Sequence, residues 1–294
     1  MFADAYEKVS KFTHPLITST RTWDGTVSCG VGAFVIVNAD GWIITAAHLL
    51  QPHAAFQQHQ KEIQSYKRDL DQIENDPNTS AKQKSRRRKK LRRNPEWITN
   101  HSPWWGIDNV KVPSFRVFPE LDLAVGRLEP FDSGMIEAFP VFKDHDKLRP
   151  GTSLCKLGFP FHNLSATFDE STGNFTLAPG SVPVPRFPIE GIYTRNISMG
   201  PTNDGKFNRL FIETSTPGLR GQSGGPVFDR EGVVYGIQSQ TRHFPLGFNP
   251  TIEDKKRKRQ VEENQFLNAG MAVHPETIRA VLDDTDIAYG VSTD

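Results

Sequence analysis

The chain has 294 residues, enough for one large domain or two lobes with sizeable cores. Its 36% hydrophobic content, 23 glycines and 21 prolines exclude a helical bundle, and a net charge of +1 excludes a whole-molecule field that would draw in nucleic acid or membrane. No run of 18 apolar residues marks a membrane span. The first twenty residues, MFADAYEKVSKFTHPLITST, carry scattered charge and no signal-length apolar run, so they read as an N-terminal extension. The only cysteines, Cys29 and Cys155, lie far apart and are expected as free buried thiols. An intracellular, cytoplasmic location is the expectation.

Along the chain, Val31 to Val37 and Trp42 to Ile44 flank the turn cluster Asn38-Ala39-Asp40-Gly41 and predict a β-hairpin. From Ala54 to Asn75 the pattern changes. Phe56, His59, Ile63, Tyr66, Leu70 and Ile73 recur at steps of 3 and 4 with no Gly or Pro between them, which predicts a helix of about six turns with a heptad seam. That seam can pack within a hairpin or against a second copy. Asp76-Pro77-Asn78 ends it, and Thr79 is positioned to cap a second helix from Lys82 to Arg93, so residues 53–100 read as an inserted helical hairpin.

Further short strands are predicted at Phe115 to Phe118, Leu121 to Leu128, Thr152 to Phe159, Gly191 to Ile197, Leu210 to Thr214 and Val233 to Ser239. Many short strands with Gly/Pro breaks indicate an all-β sandwich or barrel, with length for two. Trp104-Trp105-Gly106 is read as anchoring the insertion to the core. His274 to Asp284, with Pro275 near its start and Ile278, Val281 and Leu282 on one face, predicts a short closing helix.

Three stretches carry chemistry. GLRGQSGGPVFD, from Gly218 to Asp229, sets Ser223 in a glycine-rich turn. A serine hydroxyl needs a base to take its proton, donors for the negative oxygen it creates, and a carboxylate to orient the base. His48 follows a strand in the run ThrAlaAlaHis, and Asp122 sits between leucines in LeuAspLeuAlaVal, where a carboxylate is costly unless hydrogen-bonded. Each alone also has a structural reading: a loop serine, a strand-end histidine, a turn aspartate.

Together, and in this order, TAAH, DLAV and GQSGGP resemble the active-site blocks of the chymotrypsin-like serine peptidases. GVGAFVIVNADGWIITAAHLL and FIETSTPGLRGQSGGPVFDREGVVYGIQSQT bring the likeness closer to bacterial trypsin-like peptidases of HtrA type, with no room for a PDZ domain after Asp294. The resemblance implies a single peptidase domain of two six-stranded antiparallel β-barrels, the second over residues 130–285 with the C-terminal helix. It implies Ser223 as nucleophile, His48 as base and Asp122 as its orienting group, with Gly221 and Ser223 supplying the oxyanion-hole N–H groups. Pro217 stands where trypsin-type enzymes carry a pocket aspartate. Ser239, Gln240 and Thr241 match the strand that pairs with substrate backbone, and Thr241 replaces a glycine, which implies a narrowed pocket for small or aliphatic residues. Control by loop ordering or a partner follows from the lack of a zymogen-type start sequence.

The remaining expectations concern ligands. Nine cations fall between Lys82 and Arg93, and KKRKR spans Lys255 to Arg259; the first cluster reads either as a contact for an acidic protein or nucleic acid or as a solvated charged helix balanced by acids such as Asp69, Asp71 and Glu74, and the second reads as a solvated loop. His53, His59, His101, His145, His162 and His243 lack metal-ligand spacing, so neither metal nor cofactor is expected. Two rival readings stand beside a protein-cleaving enzyme: a catalytically silent binding module on the same fold, and a nucleic-acid-associated protein using its basic hairpin.

Overall fold

The computed structural model describes residues 1–248, 251–254, 259–262 and 265–292. Six strands form the first sheet: β1 (Thr13–Thr22), β2 (Val27–Ile36), β3 (Trp42–Thr45), β4 (Ile98–Trp104), β5 (Phe115–Phe118) and β6 (Leu123–Arg127), in the order β4-β1-β2-β3-β6-β5. Among the described residues no pairing joins β4 to β5, so this sheet curls into an open half-barrel. Residues 1–20 are more than an extension: after helix α1 (Ala3–Ser10), β1 lies between β2 and β4. Its apolar positions are spread over β-branched and turn-like neighbours, which hid it from period-2 reading.

The second sheet uses β7 (Val141–Phe142), β8 (Ser153–Gly158), β11 (Phe187–Pro201), β12 (Asn208–Thr214), β13 (Pro226–Phe228), β14 (Val234–Pro245), β17 (Phe266–Val273) and β18 (Gly290–Val291). Here the antiparallel run β13-β8-β11-β12-β17-β14 closes on itself through a β13–β14 pairing, making a six-stranded barrel, and β7 and β18 add as parallel strands at its margin. Two small hairpins stand outside it, β9 (Ala166–Asp169) with β10 (Asn174–Leu177), and β15 (Thr251–Asp254) with β16 (Arg259–Glu262). Of KKRKR, residues 255–258 lie outside the described residues.

Between β3 and β4 the chain makes helices α2 (Gln51–Asn75) and α3 (Ala81–Lys90). The cap of α3 is Ser80, one residue beyond Thr79: its hydroxyl accepts from Gln83 N–H while the Gln83 side chain accepts from the Ser80 N–H, a reciprocal capping box that Thr79 could not complete. Thr79 instead donates to Asp76 at 2.5 Å. The N-terminal half of the heptad seam packs on the barrel. Ile63 is buried, Tyr66 meets Trp23 and Trp97 at ring distances of 6.0 and 5.8 Å, and Phe56 stacks on His101.

The core runs from Phe34 and Val35 through Ile43, Ile44 and Leu123 into the second barrel at Leu157, Phe228 and Val273. Trp105 is 2% exposed and packs on Phe34 and Phe115 at 5.4 and 5.3 Å, as its anchoring reading requires. Helix α4 (Pro275–Asp284) closes the body with Ile278, Val281 and Leu282 fully buried, about 2 kcal/mol each by transfer. Cys29 and Cys155 are unpaired, and burial pushes the Cys155 thiol up to about 12.

Candidate active site

His48 lies on a short 3-10 helix, Ala47–Leu50, that begins two residues after β3 ends at Thr45. Asp122 is the left-handed residue (φ 53°) between the 3-10 turn Pro119–Leu121 and β6. Aspartate tolerates this conformation better than most side chains. It takes Asp122 out of the predicted strand and turns its carboxylate toward His48, whose Nδ1 stands 3.0 and 2.9 Å from the two oxygens. The His48 N–H donates to the same carboxylate at 3.0 Å, and the Ala47 N–H to the Asp122 carbonyl at 3.1 Å. Four contacts between two short segments fix the imidazole face and the tautomer with hydrogen on Nδ1.

Ser223 arrives from the other barrel. Its carbonyl accepts from the Ala33 N–H of β2 at 2.8 Å, while the Ala33 carbonyl accepts from Thr45 Oγ1 at 2.7 Å, so the serine turn docks on the strands that lead to His48. This approach needs Gly224. Its φ is +80°, and a Cβ there would overlap the Ala33 carbonyl oxygen and Thr45 Oγ1. Gly221 is likewise left-handed, with φ +94°, and a Cβ would overlap the Phe159 carbonyl.

Within the turn, the N–H groups of Gln222, Gly224 and Gly225 donate to the Leu219, Gln238 and Gln222 carbonyls. Among the described residues those of Gly221 and Ser223 have no acceptor. Gln222, fully buried, braces the turn from below: its side chain accepts from Leu219 N–H at 3.0 Å and donates to the Phe187 carbonyl at 3.2 Å.

Ser239 joins the two halves. The pairing of β14 with β17 slips between Gln238 and Gln240, leaving Ser239 as an extra residue in a bulge. Its hydroxyl donates to Asp122 Oδ2 at 2.5 Å, and its carbonyl accepts from Ser223 Oγ at 3.4 Å. Sequence reasoning placed Ser239 only on a substrate strand. Its hydroxyl contact to Asp122 spans 117 positions and has no local signal.

The other pocket residues gather nearby. Thr241 Oγ1 donates to the Gly218 carbonyl at 2.6 Å, spanning the two segments expected to form pocket walls, and the Gln240 carbonyl accepts from Gln238 Nε2 at 3.0 Å. Pro217 is half-buried beside Thr216. Beneath Thr216 lies a residue that sequence reasoning missed, Lys156, 1% exposed, whose ammonium donates to the Thr216 carbonyl at 2.8 Å and hydroxyl at 2.6 Å. Burial pulls this lysine down to about 8. Its sequence setting, LeuCysLysLeuGly in a predicted strand, offered one signal, a cation amid an apolar run. Among the described residues no cluster of three or more His, Cys, Asp or Glu is arranged to hold a metal ion.

A closed six-stranded barrel set against a curled six-stranded sheet, with a histidine–carboxylate pair from one meeting a serine turn from the other, is the scaffold of a trypsin-type hydrolase. The model for the trypsin-like peptidase domain matches residues 30–237, more than half of the chain, and the protein belongs to that family. It is a peptidase by that membership. Among solved structures it is similar to the Rv3671c protease from M. tuberculosis in its active form, at 14% identity and a TM-score of 0.48 over 98% of this chain and 87% of that one. It is also similar to the HtrA-type protease AlgW with tripeptide, at 15% identity and a TM-score of 0.48, covering 97% of this chain and 63% of that one, so it spans less than two thirds of AlgW. No curated protein matches the sequence. No helix among the described residues is long and apolar enough to cross a membrane.

Proposed function

We propose that the protein is a serine endopeptidase that cleaves protein substrates through an acyl-enzyme, with Ser223 as nucleophile, His48 as general base and acid, and Asp122 as the group that orients His48. The observation that carries this reading is the double attachment of Asp122, to His48 Nδ1 on one side and to the Ser239 hydroxyl on the other, with Ser239 also holding Ser223. Hydrogen on Nδ1 leaves Nε2 as the basic nitrogen, free to take the serine proton and return it to the leaving amine. As the imidazole charges, Asp122 stabilises it and the Ser239 donor keeps the carboxylate aligned. The open N–H groups of Gly221 and Ser223 suit the oxyanion.

At rest the Ser223 hydroxyl bonds to the Ser239 carbonyl, which supports control by loop ordering or a partner: productive binding must turn Oγ toward His48 Nε2. Labelling of the purified protein with a fluorophosphonate tests the reading. Wild type labels, Ser223→Ala does not, and His48→Ala falls by about 10⁴-fold. Labelling that persists in Ser223→Ala, or is absent from folded wild type with and without candidate activators, would favour the silent binding module.

A second reading is favoured by α3. No residue of this helix is buried, and among the described residues only Arg87 and Arg88 of its cations form ion pairs, with Asp76 and Glu74. Lys84 donates to the Glu74 carbonyl, and the exposed Lys82, Arg86, Lys89 and Lys90 present one sign of charge to solvent, which suits a polyanion such as nucleic acid ahead of a compact acidic protein. RNA or DNA binding that weakens steeply with salt, and is lost when Arg86, Arg87, Arg88, Lys89 and Lys90 are neutralised, is its test. The unpaired Cys29 and Cys155 support a reducing, cytoplasmic compartment, which subcellular fractionation checks.

A further inference from the structure

We infer that the open seam of the first barrel is a binding site for a small, uncharged aromatic molecule. The two edge strands of the sheet, β4 and β5, do not pair, and a cavity of about 610 Å³ lies where they would meet, lined by His101 and Pro103 from β4 and Phe115 and Val117 from β5. Small barrels normally fill this space with side chains. Here the volume falls within the range of about 300–1,000 Å³ typical of small-molecule sites.

The lining defines the ligand. Leu16, Trp105 and Phe115 supply an apolar, aromatic floor. None of the lining residues is Lys, Arg or Glu, and the one acid, Asp122, is already paired with His48, so a charged ligand would lose its hydration without compensation. The Nε2 of His101 makes no hydrogen bond among the described residues but is closed off from solvent, so His101 gives the cavity its ring and no reachable polar group at that nitrogen. Burial, and secondarily His53, lower His101 to about 4, so its ring is neutral and adds to the uncharged lining.

An added β-strand fits less well. Pro103 within β4, and Pro113 and Pro119 around β5, have no N–H to give a ladder. The first turns of α2 form one side of the cavity, where the exposed Ala54 and Gln57 line it and Gln57 bonds His53 at 2.9 Å.

The test uses 2-naphthol as probe, with calorimetry and probe fluorescence on the full chain. Saturable one-to-one binding is expected, with 2-naphthoate, the same ring bearing a charge, weaker by about tenfold or more. Ala54→Trp, which fills the space from an exposed position, should weaken naphthol by about tenfold, and His101→Phe, which keeps an uncharged ring in the lining, should leave it within about threefold, with melting curves reporting that both fold. Non-saturable binding, equal binding of naphthoate, or unchanged affinity in folded Ala54→Trp would overturn the site.

Because His48 and Asp122 form one wall, saturating naphthol should also change the rate of fluorophosphonate labelling at Ser223 by at least about fivefold. Unchanged labelling at saturation would put the ligand elsewhere and overturn the assignment. This arm rests on the peptidase reading. Naphthol binding without any labelling would count against that reading and leave the site standing.

Discussion

His274 caps α4 as an acceptor, its Nδ1 receiving the Glu276 N–H at 3.2 Å, while the residue is 3% exposed and its Nε2 has no hydrogen-bond partner among the described residues. Burial lowers this histidine to about 4, with Glu276 opposing and His145 adding to the shift. Protonation would bury a charge, remove the cap acceptor and set a cation at the positive end of a helix. The folded pKa lies below the unfolded value of about 6.5, so both states are neutral above that point and the unfolded state alone gains the proton below it. Stability is therefore lost as pH falls from 6.5 toward 4, by about 2 kcal/mol between pH 7 and pH 5 from this group. His274→Asn keeps a cap acceptor and removes the titration. Urea unfolding at pH 7 should place wild type and variant within about 1 kcal/mol, and at pH 5 the variant should have gained about 2 kcal/mol on wild type. His14 and His101, also lowered to about 4, titrate in both proteins and cancel in the difference. Parallel profiles between pH 7 and pH 5 would refute the reasoning.

Ser239→Ala removes one donor to Asp122 and should slow Ser223 labelling by about 10- to 100-fold with peptide affinity nearly unchanged, measured as kcat against KM. Gly224→Ala forces a Cβ onto the Ala33 carbonyl from a left-handed backbone; labelling should vanish, and chemical denaturation should show a loss of about 2 kcal/mol or more. Lys156→Met should stay folded near wild-type stability at pH 7, because loss of the Thr216 bonds is offset by relief of a buried ammonium. Since the folded lysine releases its proton near pH 8 and the unfolded one near 10.5, wild-type stability should gain from this group as pH rises between the two, and the Met variant should lack that gain.

The residues proposed to do the chemistry were singled out from the sequence because each sits in a distinctive local string. Ser223 lies among glycines, His48 follows small residues, and Asp122 interrupts an apolar run. The strands around them, the hairpin insertion and the closing helix were equally local, set by period, breakers and caps. What escaped was decided at a distance. Thr13–Thr22 became a central strand because β2 and β4 flank it, and the cap of α3 moved to Ser80 because only there could Gln83 reciprocate. Ser239 reached Asp122 through a bulge defined only by pairing with β17, and Lys156 met Thr216 across 60 positions. The open seam between β4 and β5 likewise has no sequence signature, because an unmade pairing is a property of two edges and not of either strand. Sequence by itself determined which groups were available and which local conformations carried them. Tertiary structure decided which groups meet, because a hydrogen bond or a cavity depends on positions in space that distant segments fix jointly.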